Sequence, residues 1–136
     1  MWRALAALAL LALLAHGGLP RARAEDAAAA REITLALPQA LRPGEPAWLV
    51  VQVGRLGRGQ EIDVVTMSGQ PLGTISPFGT RPGEAAGTFT LPVPPDLIRD
   101  GRLTVRLTIS EGGAPPRAPT AEEVTDVTLA AAGAAR

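Results

Sequence analysis

Residues 102–110, RLTVRLTIS, alternate without a break. Leu103, Val105, Leu107 and Ile109 fall in one phase, while Arg102, Thr104, Arg106, Thr108 and Ser110 fall in the other. A strict two-residue period belongs to a strand with one face in a core and one in water, and it cannot be wrapped onto a helix. Six further runs share the character, at 31–37, 47–53, 61–67, 71–76, 87–93 and 122–130. Turn residues separate them, and nothing after residue 30 carries a helical period. The expected fold is therefore all-β, a small sandwich of about seven strands spanning 31–131.

In strand number and alternation the chain resembles immunoglobulin-like and fibronectin-like domains, without the Cys-Trp-Cys hallmark, since it has no cysteine. A jelly roll or small barrel is the alternative, because strand order is not written in the period. Pro92 assigns 87–93 to a sheet edge, as proline cannot donate to a ladder. Val124 is out of phase with Val127 and Leu129, so a bulge is expected near Thr125 and Asp126. The tetrapeptide RPGE occurs at 42–45 and again at 81–84. Proline followed by glycine satisfies a type II turn, which explains both copies, and a duplicated arginine site through Arg81 is the alternative. GRLGRG (54–59) and EGG (111–113) are expected to be hairpin connections.

The first 24 residues have the grammar of a secretory signal peptide: Arg3, an apolar run over 4–15, Gly17, Gly18 and Pro20, then Ala22-Arg23-Ala24. The apolar run is shorter than the roughly 20 residues needed to cross a bilayer. Cleavage after Ala24 is expected, leaving an Ala-rich leader (25–30), the sandwich and a short tail (132–136). Every basic residue is arginine, and Lys, Asn, Tyr and Cys are absent, a bias of GC-rich codons that points to a bacterial periplasmic or secreted protein. Without Arg3, Arg21 and Arg23 the balance is mildly acidic, so no basic field recruits nucleic acid or anionic lipid.

The only histidine, His16, lies in the leader. The remainder lacks His, Cys, Lys and Tyr, which removes Ser-His-Asp and Cys-His catalysis, Schiff-base chemistry and the usual ligands of zinc, copper and iron. Carboxylates remain at Glu61 and Asp63, Asp96 and Asp100, and Glu122 and Glu123, but none follows a calcium-loop pattern. They read as solvated charges, and neither catalytic residue, cofactor nor metal is expected.

Recognition is left. In 47–53, Leu49, Val51 and Val53 share one phase and Trp48 and Val50 the other. Such a strand is central; its tryptophan is expected to be covered as a large core residue, and an outward Trp48 and Val50 would instead form an apolar contact patch. Phe78, in the long turn 77–86, is either a plug for the core or an exposed anchor. Arg102 and Arg106 would suit an acidic partner or a polysaccharide, or simply face water. The proline-rich segment 114–123 is expected to span the sandwich. Candidate contact residues are thus Phe78, Trp48, Val50, Arg81, Arg102 and Arg106. The function expected is a non-catalytic exported interaction module, an accessory or assembly subunit whose partner is another exported protein; a small-ligand or carbohydrate-binding domain is the alternative, and a carboxylate-based enzyme comes third.

Overall fold

The computed structural model describes residues 29–77 and 83–132. The strands are β1 (Arg31–Ala36), β2 (Ala47–Val53), β3 (Gln60–Thr66), β4 (Pro71–Ile75), β5 (Gly87–Val93), β6 (Arg102–Glu111) and β7 (Val124–Ala131), with one 3₁₀ turn at Pro95–Leu97. They make a four-stranded antiparallel sheet in the order β1-β6-β3-β4 and a three-stranded one in the order β5-β2-β7. Side contacts between β1 and β7, and between β4 and β5, bring the sheets together as a sandwich. Its core is the inward phase of each strand. Leu49, Val51, Ile62, Val64, Val105 and Leu107 are fully buried, each such side chain contributing roughly 1.5–3 kcal/mol relative to exposure.

The alternation that predicted β6 holds residue for residue, with Leu103, Val105, Leu107 and Ile109 inside. β2 is central, and β5 is an edge, as its proline requires. Between β2 and β7 the register slips where Gln52 faces Asp126 and Val53 faces Val124, so Thr125 is the extra residue of the expected bulge. Phe89 and Leu91 lie half-buried against the core.

Three local expectations need correction. GRLGRG joins β2 to β3, strands of different sheets, and so is not a hairpin turn. Its first residue belongs to the packing: Gly54 donates to the Glu123 carbonyl at 2.9 Å and Arg55 to the Glu122 carbonyl at 3.0 Å. A Cβ on Gly54 would stand 2.0 Å from the Glu122 oxygen, so only glycine lets the two chains approach. Glu122 and Glu123 do not open the last strand. They sit in the turn before β7, where Glu123 and Thr120 bond reciprocally: the Thr120 N–H donates to the Glu123 carboxylate at 2.8 Å, and the Glu123 N–H to Thr120 Oγ1 at 3.3 Å. The same reciprocal logic as a capping box holds this turn. Trp48 is not a core residue, for the reason given below.

The first RPGE is a turn of the predicted kind. Gly44 has φ +77°, the Glu45 N–H donates to the Arg42 carbonyl, and the Glu45 carboxylate accepts from the Arg42 N–H at 2.9 Å. In the second copy Arg81 and Pro82 lie outside the described residues, and Gly83 has φ +86°.

Candidate functional site

β2 crosses the middle of the three-stranded sheet and aims Trp48, Val50 and Gln52 away from the core, because its period runs unbroken from Ala47 to Val53. The bulge that would have turned the indole inward lies beyond it and on the other strand. The register sets the surroundings. Trp48 stands between Pro92 of β5 and Ala130 of β7, Val50 between Thr90 and Thr128, and Gln52 between Thr88 and Asp126. Trp48 and Val50 are half-buried, while Pro92, Thr90 and Thr128 are exposed. The neighbours of Trp48 are short, and among the described strand residues of this face the one ionisable side chain is Asp126, at the far end. Pro92, Ala130 and the threonines are not site residues in the sequence reading, since the pairing that brings them beside Trp48 has no local signal.

The outer face of the other sheet is polar and internally bonded. Thr34 and Thr104 share a hydroxyl hydrogen bond of 2.9 Å across β1 and β6. Thr74 of β4 donates to Asp63 of β3, and Ser76, just past β4, to Glu61 of β3, each at 2.7 Å. Arg106 lies between Glu32 and Val65, and Arg102 beside Ala36. Trp48 and Val50 therefore lie on the opposite outer face from Arg102 and Arg106, and these four residues do not form one site. Glu61 and Asp63 share a face as the period required, and each accepts a hydrogen bond from a hydroxyl.

The proline-rich segment does span the sandwich, and Arg117 ties it down. Its backbone pairs with Ile109 of β6, with N–H to O distances of 2.7 and 3.1 Å, and its guanidinium forms a two-pronged contact with the Glu123 carboxylate, one prong at 2.9 Å. The hydrogen bond from Arg117 holds the Glu123 carboxyl below the usual glutamate range, with burial opposing and the Thr120 N–H assisting. Asp100 has φ +53° in the turn between Arg99 and Arg102, whose backbones exchange bonds of 2.9 Å; its position is that of a tight hairpin turn.

Phe78, like Arg81, lies outside the described residues, so neither role proposed for it is placed here. Among the described residues no three His, Cys, Asp or Glu side chains come together as a metal site. Met67, at 45% exposure in the turn between β3 and β4, is the one large apolar side chain among them that is exposed. No protein-family model, curated protein or solved structure matches the chain.

Proposed function

We propose that the protein is an exported, non-catalytic interaction module, an accessory or assembly subunit that docks another exported protein on the outer face of its three-stranded sheet. The observation that carries this reading is the Trp48 and Val50 pair at the centre of that face, ringed by Pro92, Ala130 and threonines. A tryptophan on a rigid central strand has the area and low conformational cost of a binding anchor. With Asp126 as the only charge among the described strand residues of the face, it selects an uncharged, apolar-centred partner surface, and binding is insensitive to salt. Export is supported by the leader grammar of residues 1–24. A carbohydrate platform wants a second coplanar ring, and Phe89 faces inward, so the protein partner is the stronger reading.

The test places a photoreactive residue at Val50 or, as control, at the exposed Thr74 on the opposite face, in cells exporting the full chain. The reading expects a specific adduct from position 50 alone, with a protein that, once purified, binds the wild type and binds Trp48→Ala at least about tenfold more weakly. Adducts from position 74 alone, or a purified partner indifferent to Trp48→Ala, would contradict it.

The finer fold assignment we propose is an immunoglobulin-like sandwich with its terminal strands exchanged between sheets. The β2–β5 and β3–β6 neighbours match the shared B–E and C–F pairs, whereas β1 lies beside β6 and β7 beside β2. Cross-strand proton contacts in solution between Ile33 and Val105 are expected; contacts placing β1 beside β2 instead would refute the exchange.

A further inference from the structure

A sheet edge is a row of unmade hydrogen bonds, and the four edges of this sandwich are not equally closed. On β5, Pro92 removes a donor from the outer row. β4 is short, begins with Pro71 and is broken by a register shift. On β7 the inward residues Val127, Leu129 and Ala131 are buried, and the Arg31 side chain crosses to the Val124 carbonyl at 3.0 Å.

β1 differs. Leu37 donates to the Gly101 carbonyl at 2.8 Å, continuing the register in which Leu35 faces Leu103 and Ile33 faces Val105. Ile109 and Arg117 exchange bonds in the same lane, which fixes the parity independently. Odd-numbered residues of β1 therefore bond β6, and Glu32, Thr34 and Ala36 turn their backbone groups to the open edge, where all three are exposed. Ile33 and Leu35, on the inward face, are only half-buried, whereas the inward residues of β6 are buried.

The geometry points to a second copy of this chain as the occupant of that edge, β1 pairing antiparallel with β1 about a two-fold axis at Thr34. In this register Glu32 faces Ala36 of the other copy, and each of Glu32, Thr34 and Ala36 exchanges both backbone groups. Ile33 meets Leu35 of the other copy on the inward side, covering the apolar surface that β1 leaves half-buried. On the outward side the charges are complementary. Arg102 of β6 lies beside Ala36, so Glu32 of the second copy falls two strands away, about 10 Å between backbones, with only the methyl of Ala36 between. Arginine and glutamate together span that gap. Each Glu32 then sits between its own Arg106 and the other copy's Arg102. The register that would oppose Glu32 to Glu32 makes fewer backbone bonds and places like charges together. The Thr34 and Thr104 pairs of the two copies become one ladder of four hydroxyls across the axis. Two four-stranded sheets merge, and the docking face proposed above is left untouched.

One short strand pair buries less than the roughly 1,200 Å² of a standard interface, so the association is concentration-dependent. The test is sedimentation velocity on the protein recovered from the cell after export of the full chain, over concentrations up to roughly 1 mM. The wild type is expected to shift from monomer to dimer. Thr34→Pro removes an edge N–H that bonds nothing within the monomer, and should hold the protein monomeric while moving the melting temperature by no more than about 4 °C. Glu32→Arg and Arg102→Glu should each weaken association about tenfold or more, and an equimolar mixture of the two variants should recover it, because the mixed dimer restores an opposite pair on both sides. A wild type that stays monomeric throughout, a dimer that survives Thr34→Pro, or a mixture no tighter than its components overturns the inference. A dimer lost in Trp48→Ala but kept in Thr34→Pro would assign self-association to the other sheet.

Discussion

The outer faces of the two sheets are made by the same device, a strand whose alternate residues point away from the core, yet they end in different states. On the four-stranded sheet the outward groups find one another: Thr34 with Thr104, Thr74 with Asp63, Ser76 with Glu61. On the three-stranded sheet the central strand offers Trp48 and Val50, and its neighbours answer with proline, alanine and threonine. A polar outer face meets its needs from its own strands and from water. An apolar centre held between short residues has no such completion within the sheet, and this difference is what separates a solvated surface from a contact surface.

The largest expected effect lies between adjacent residues of β2. Leu49→Ala should cost about 2–5 kcal/mol, as for a fully buried leucine, while Trp48→Ala should cost no more than about 1.5 kcal/mol despite removing a larger side chain. Denaturant midpoints decide it: equal costs would put the indole in the core and dissolve the contrast between the faces.

Next in size is Gly54→Ala, which forces apart the end of β2 and the turn before β7. A loss of about 1–3 kcal/mol is expected from the melting curve, because the obstructing atom is a backbone oxygen and not a movable side chain. Little change would mean that the apolar sheet is less firmly held than its hydrogen bonds imply.

Smaller still is the Arg117–Glu123 strap. A carboxyl held below its ordinary range in the folded state contributes stability above the ordinary glutamate range, and this is lost as pH falls through the depressed value. Arg117 is 45% exposed, so screening limits the contribution to about 1 kcal/mol or less. Glu123→Gln should remove that amount at neutral pH and flatten the acid limb of stability against pH, read by thermal melts from pH 7 to about pH 3. An unchanged acid limb would show that the turn is set by Thr120 without the ion pair.

The strands and the core were legible because burial writes a period of two into the chain, and β6 is the clearest case. The bulge at Thr125 and the edge position of Pro92 were legible too, each carrying a local chemical mark. What escaped was pairing. GRLGRG has the residues of a hairpin but joins two sheets, and Glu123 looks like a strand residue until Thr120 and Arg117 are seen to hold it in a turn. Trp48 escaped for the opposite reason. Its phase already placed it outside, and only its size suggested the core.

Tryptophan emission gives the most direct test of the apolar face, since Trp48 is the only tryptophan beyond the leader. In the exported protein, acrylamide should quench Trp48 to an extent between that of the unfolded chain and that of a buried indole, equally in the wild type and in Thr34→Pro. Blue-shifted emission that resists the quencher would mean that the ring is covered, and the three-stranded sheet would then have no contact surface centred on it.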